Sequence, residues 1–385
     1  MKSLREFWTG RRVLVTGHTG FVGSWLCYWL TQLGAEVVGY SLPPATQPSL
    51  FELIDLPGLM DSRYGDIVDE ALETLLSATQ PQFVFHLAAQ ALVRESYARP
   101  RTTFAANVMG TVNLLEAVRR CSSVRVCQLV TSDKCYRDPE SGKVHSEDDP
   151  LGGHDPYSAS KAAAELVAAS YRDSFFSTSG ACSIATVRAG NAIGGGDWSK
   201  HRIVPNCVRS VLSDVPVVLT QPQAIRPWQY VLEPVSGCLW LAQQQCAGPH
   251  SYSEPWNFGP DVTVGASVLD LVQLFFKQWG NGRWEITASD SSEVDAPELR
   301  ISIAKARRKL DWHPVYDLPQ TIAETVRAYQ GLQRARLATN PVLEARAVCG
   351  SAIDAYASQA HRAGIMWACA DDSLSKTRQV NDPTQ

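Results

Sequence analysis

The apolar positions of the chain fall in short β-branched runs that alternate with stretches of helical spacing. Arg12-Val13-Leu14-Val15-Thr16 reads as a first strand, since a brief unbroken apolar run marks a strand buried on both faces. Glu36-Val37-Val38-Gly39-Tyr40 predicts a second, and Tyr64-Gly65-Asp66-Ile67 closes a third. Phe83 to Gln90 is read as a fourth. Leu129-Val130 ends another, and Cys182-Ser183-Ile184-Ala185-Thr186-Val187-Arg188 is a sixth. Between them, Trp25, Leu26, Trp29 and Leu30 lie on one helix. Phe104, Val108, Val112, Leu115 and Val118 give a helical period from Thr102 to Arg120, and Ala164, Leu166, Val167 and Tyr171 another after Tyr157. This alternation predicts an α/β fold with a right-handed, doubly wound parallel sheet.

Beyond Asn191 the pattern loosens into short elements. Gly194-Gly195-Gly196-Asp197-Trp198 is a turn, Arg202-Ile203-Val204-Pro205 opens a helix, and Ile225 to Val231 is a polar-aromatic loop. The expected division is a dinucleotide-binding domain over 1–190 that carries the chemistry, and a smaller substrate-binding lobe over 191–336. Some segments of that lobe are expected to return to the sheet. A C-terminal extension covers 337–385, weakly helical from Pro341 to Trp367, with a disordered tail from Asp371 to Gln385.

Gly17-His18-Thr19-Gly20-Phe21-Val22-Gly23 links the first strand to the first long helix. Glycines at this spacing let a backbone approach a diphosphate held at the helix N-terminus, which makes the sheet Rossmann-type. The second strand ends at Ser41, where a carboxylate often holds the ribose hydroxyls. No basic residue there suits a 2′-phosphate, and Val22 adds no positive charge, so NAD is favoured over NADP. Asp66 has two readings, an acceptor for the adenine amino group or a helix N-cap. Leu87, Ala88 and Ala89 are small enough to let a cofactor pass closely.

The chemistry gathers between Leu129 and Lys161. Ser132 follows the strand with Asp133 and Lys134, and Tyr157-Ser158-Ala159-Ser160-Lys161 heads an alanine-rich helix. Tyrosine and lysine at i and i+4 share a helical face, so the ammonium is expected to lower the phenol's pKa from its usual ~10. Ser132, Tyr157 and Lys161 then describe a site that takes a hydroxyl proton while a nicotinamide takes a hydride. Arg202 and Arg226 are candidates for a substrate diphosphate, because the guanidinium fork matches phosphate oxygens.

The 385 residues are 45% hydrophobic and 19% charged, with a formal net charge of −4 and pI near 6.1. These values fit a globular chain and give no basic field for nucleic acid or an anionic membrane. No apolar run is long enough to span a bilayer, and the N-terminus lacks a signal-peptide core. The ten cysteines include no Cys-x-x-Cys pair and no zinc spacing, so no metal is expected and a reducing cytoplasm is the expected setting.

These motifs resemble the nucleotide-sugar 4,6-dehydratases of the extended short-chain dehydrogenase/reductase superfamily. The resemblance covers roughly Phe7 to Ala328. It rests on Gly17 to Leu26, Ala88-Ala89-Gln90, Asn107 to Thr111, Thr131 to Tyr136, Asp155 to Lys161, Val187 to Trp198, Arg202 to Pro205 and Arg226 to Pro234. Ser132-Asp133-Lys134-Cys135-Tyr136 points within it to the branch that acts on CDP-glucose. The family often carries lysine at position 22 and histidine at position 230, where this chain has Val22 and Tyr230, and Ser292 to Leu299 also departs from its pattern. The resemblance implies NAD contacts from Gly17, Thr19, Gly20, Phe21, Val22, Gly23, Ser41, Asp66, Ile67, Leu87, Ala88, Ala89, Asn107, Tyr157 and Lys161. It implies substrate contacts from Gln90, Asn191, Arg202, Ile203 and Arg226, catalysis by Ser132, Asp133, Lys134, Tyr157 and Lys161, and a homodimer built on the helices at 102–120 and 157–174. Alternatives sharing the oxidation site are a 4-epimerase or decarboxylase, a dehydratase for another nucleotide hexose, and a silent NAD-sensing scaffold.

Overall fold

The computed structural model of the protein describes residues 2–137, 142–178, 181–261, 265–287 and 298–369. Seven parallel strands form its central sheet: β1 (Arg12–Thr16), β2 (Glu36–Ser41), β3 (Asp61–Tyr64), β4 (Phe83–His86), β5 (Val126–Val130), β6 (Ser183–Ala189) and β7 (Pro255–Phe258). Their order is β3-β2-β1-β4-β5-β6-β7, so the crossover direction reverses between β1 and β4. A ligand crevice is expected where the carboxyl ends of those two strands part. Strand β7 comes from beyond residue 191 and pairs Trp256 with Val187, so that segment does return to the sheet.

Helix α1 (Phe21–Gln32) leaves β1, α2 (Gly110–Arg120) precedes β5, and α3 (Pro156–Phe175) precedes β6. Two expected elements differ. Strand β4 stops at His86, and Leu87 to Gln90 leave the sheet. The helix expected over Thr102–Arg120 starts at Pro100 and holds a π-helical segment, Ala105–Met109, ahead of α2. The extra residue per turn re-aims the helix there and turns Asn107 inward. Phe104 is exposed, whereas Leu115 and Val118 are buried as expected.

A separate hydrophobic core forms beyond residue 191, in which Val204, Val208, Leu271, Phe275, Ile322 and Tyr329 meet. The C-terminal extension forms α4 (Pro341–Arg362), a 22-residue helix that joins the core under the sheet through Cys349, Ile353, Tyr356 and Ala360. It lies against α1: Tyr28 donates to the Arg346 carbonyl at 2.8 Å, and Trp29 packs edge-on to Tyr356. Tyr356 also donates to Glu233 Oε2 at 2.6 Å, and burial pushes that carboxyl up to about 7. The tail expected to be disordered, Asp371 to Gln385, and residues 292–297 of the departing segment lie outside the described residues.

Candidate active site

Gly17 has φ +77°, and a Cβ on it would sit 2.6 Å from the Ala88 amide, so the loops after β1 and β4 meet there backbone to backbone. A Cβ on Gly23 would lie 2.1 Å from the Gly17 carbonyl, which lets α1 pack tightly beneath the loop. Gly20 caps α1 with no side chain on the helix amides, and its own Cβ position meets only the Gly17 oxygen, at 3.3 Å. Open helix amides beside a glycine with free space fit a dinucleotide diphosphate.

Around this cradle the expected cofactor residues separate into two groups. Phe21, Val22, Leu87, Ala88 and Ala89 are half-buried along the loop edges. Thr19 shares a 2.9 Å hydrogen bond with Ser41 Oγ, which joins the loop to the end of β2. Asp66 accepts from the Val68 amide at 3.0 Å, so its carboxylate holds its own turn and is not a helix cap. Ile67 is core, packed under Gly110. Asn107 brackets Gln90, accepting from its amide at 2.8 Å and donating to its carbonyl at 3.0 Å, and also donates to Ser160 Oγ. It ties the loop after β4 to the tyrosine helix. The Gln90 side chain is bonded to Leu92 within that loop and to Thr103 on the helix that starts at Pro100.

The reacting groups meet where β5 ends and α3 begins. Asp155 caps α3 by accepting from the Ser158 amide at 3.0 Å, and Pro156 fills its first turn, which sets Tyr157 at the helix head. The Tyr157 amide donates to Ser96 Oγ at 3.2 Å. Ser132 Oγ accepts from the Lys134 amide and donates to Asp133 Oδ1 at 3.1 Å. Asn191 Nδ2 donates to Asp133 Oδ2 at 3.2 Å, from a residue with φ +47°. The Asp133 carboxyl fills the space a side chain at Gly190 would need, since a Cβ there would fall 1.8 Å from Oδ2. Ser132, Asp133, Tyr157, Lys161 and Asn191 are thus brought together.

The electrostatics correct one expectation. Burial pushes the Tyr157 phenol up to about 12; hydrogen bonding with Ser132 and the Arg202 charge pull it down, and Asp133 pushes it up. Lys161 donates to the Val130 carbonyl at 3.2 Å, and burial pulls its ammonium down to about 8. The low-pKa phenol expected from the spacing alone is therefore absent in the chain by itself, because the cost of burying a charge exceeds what its neighbours offset.

Arg202 sits at the N-terminus of the helix Ile203–Ser213 and pairs with Asp197 at 3.3 Å, with its charge felt at Tyr157. Arg226 is elsewhere: it is buried and faces a cavity lined by Pro227, Asp261, Gly265 and Arg300. Arg202 is not among the residues that line that cavity. Sequence reading missed Arg300, whose only signal was the alternation of Leu299-Arg300-Ile301 in a short strand. It also missed Glu165, hidden in the apolar run of α3. All ten cysteines are free, and among the described residues no cluster of three or more metal-ligating side chains occurs. Among the described residues no helix is long and apolar enough to cross a membrane.

A Rossmann-type sheet with Ser132, Tyr157 and Lys161 gathered where β5 ends and α3 begins has the architecture of a short-chain dehydrogenase/reductase. The chain matches the GDP-mannose 4,6 dehydratase family over residues 14–325 and belongs to it. It is 44% identical over 328 residues to a CDP-glucose 4,6-dehydratase of Salmonella typhimurium, covering 84% of this chain and 91% of that one. A UDP-glucose 4-epimerase of Mycolicibacterium smegmatis is 27% identical over 83% of this chain and 98% of its own length. The solved UDP-glucose 4-epimerase of Thermotoga maritima, with UDP-glucose, shares the fold at a TM-score of 0.72 and 22% identity, over 85% and 99% of the two chains.

Proposed function

We propose that the protein removes water from a nucleotide hexose, CDP-glucose above others, giving the 4-keto-6-deoxy sugar, with NAD as its cofactor. The observation that carries this reading is the meeting of Ser132, Asp133, Tyr157 and Lys161 beside the open glycine loop. The 44% identity to a CDP-glucose dehydratase supports the choice of sugar nucleotide.

NAD, held on the loop of Gly17, Gly20 and Gly23, would supply a hydride acceptor for C4 and a hydride donor for C6, with no net oxidant consumed. Ser132 and Tyr157 hold the C4 hydroxyl, and Tyr157 takes its proton as the hydride leaves. The 4-ketone acidifies the C5 hydrogen. Asp133, wedged against Gly190 and held by Ser132 and Asn191, is in its protonated form the acid that gives its proton to the departing 6-hydroxyl. Lys134, when neutral, accepts the C5 proton and gives a proton back to C5 as the hydride reaches C6; as a cation it would instead stabilise the enolate. Arg226 and Arg300, facing one cavity, are suited to the substrate diphosphate.

Turnover should be fastest with CDP-glucose, read as loss of one water by mass spectrometry. Buried groups that pair with one base edge are left unpaired by another base. Equal or higher kcat/KM with dTDP- or GDP-glucose would overturn the nucleotide assignment. A 4-epimerase, which needs the same oxidation site, would show no loss of mass.

The active assembly is proposed as a homodimer through the π-containing helix 100–120 and α3. Phe104, Met109, Leu166 and Phe175 on these helices are between 40% and 60% exposed, more apolar surface than a solvated helix pair needs. Light scattering at micromolar concentration should give twice the chain mass of 42.2 kDa. A monomer would count against this assembly.

A further inference from the structure

Behind the reacting groups lies a buried ion pair that the proposed chemistry does not use. Glu165 is on α3, one turn beyond Lys161 and on the same face. Its Oε2 accepts from Arg188 Nη2 at 2.8 Å and from Thr186 Oγ1 at 2.7 Å, both on β6. Its Oε1 accepts from Thr131 Oγ1, the residue before Ser132. Both charged side chains are only 3% exposed. Arg188 is held in turn by Tyr136 Oη at 2.9 Å and the Glu147 carbonyl at 3.0 Å.

A pair this deep is a weak source of stability, because desolvating two charges consumes most of their attraction. Its position is more telling. Thr131 lies between Val130, whose carbonyl receives the Lys161 ammonium, and Ser132. Glu165 thus fastens the catalytic strand end to the helix that presents Tyr157 and Lys161, and sets a negative charge behind the lysine. We infer that Glu165, anchored by Arg188, is a positioning residue that keeps Lys161 cationic and in register with Ser132; the inference rests on the oxidation role given to Ser132, Tyr157 and Lys161.

The other groups around the lysine do not supply that charge. Burial and Lys161 itself hold His86 neutral, pulled down to about 3. Burial holds the Cys135 thiol and the Tyr157 phenol neutral. Asp133 is turned to Ser132 and Asn191. Glu165 is the largest influence opposing the burial of Lys161. The lysine's lowered pKa means its cation is complete well below pH 8 and is lost as pH rises through that value. Activity should carry an alkaline limb there.

In Glu165→Gln, which keeps an acceptor for Thr131 but loses the charge, the alkaline limb of kcat should move down by at least about one pH unit, with KM within about twofold. The paired variant Glu165→Met with Arg188→Met removes both charges without orphaning either, so it also reads the effect if the single variant misfolds; its limb should fall as well. Lysine labelled with 13C at the ε-carbon, its signal assigned through Lys161→Ala, gives the same midpoint without substrate. Wild-type midpoints in both variants would overturn the inference. A wild-type chain that turns over no nucleotide hexose would instead sink the dehydratase reading and leave the lysine titration readable.

Discussion

Tyr157→Phe is expected to lower kcat at least ~100-fold, the usual size of a general-base loss, while the melting temperature stays close to wild type. The argument is geometric. Tyr157 sits at the head of α3, fixed by its own amide on Ser96 and by the Asp155 cap, so phenylalanine can keep the backbone and the ring packing. What it loses is the oxygen paired with Ser132. Because burial pushes the phenol up to about 12, the residue rests neutral, and it can take a proton only when positive charge gathers around it. Arg202 is the chain's positive charge already felt there; Lys161 lies one turn along the same helical face, so Lys161→Ala should cost a comparable factor. Near-full turnover in the Tyr157→Phe enzyme would mean the base lies elsewhere.

Asp133→Asn should separate the two halves of the reaction. Asparagine fits the same pocket over Gly190 and keeps the hydrogen bond with Ser132, so oxidation at C4 should persist. It cannot supply the proton that the 6-hydroxyl needs to depart. Absorbance of the reduced cofactor should therefore build up with CDP-glucose, while release of the 4-keto-6-deoxy product falls at least ~100-fold. Lys134→Ala should give the same accumulation if Lys134 takes the C5 proton. Asp133 held as a plain structural carboxylate predicts full turnover in Asp133→Asn, and that outcome would remove it from the mechanism.

Much of this site was legible because its signals are local. A β-branched run, three glycines and a helix in that order define a cofactor loop, and Tyr157 with Lys161 at i and i+4 define a shared face. The same reading failed where tertiary contact decides. Strand β4 ends at His86 although its apolar run continues to Ala89, because the loop past it is pinned by Asn107 from another helix. The π segment has no signature in spacing, since one extra residue per turn disturbs an apolar stripe only slightly. The phenol's pKa followed from the wrong balance: proximity of Lys161 was visible in the sequence and depth of burial was not. Arg188 and Glu165 are 23 residues apart and meet only because β6 lies beside β5 beneath α3. The extension at Pro341–Arg362 has a weak apolar pattern because its buried positions include the small Ala345, Cys349 and Ala360, and its large Tyr356 is buried through long-range packing that includes Trp29 of α1.

The account turns on hydride moving from C4 to C6 within one sugar, and isotope placement reads this directly. CDP-glucose carrying deuterium at C4 should give a 4-keto-6-deoxy product with the deuterium on C6 and one water lost. Deuterium returned to C4 with inverted configuration, and no change in mass, would make the protein an epimerase and contradict the account.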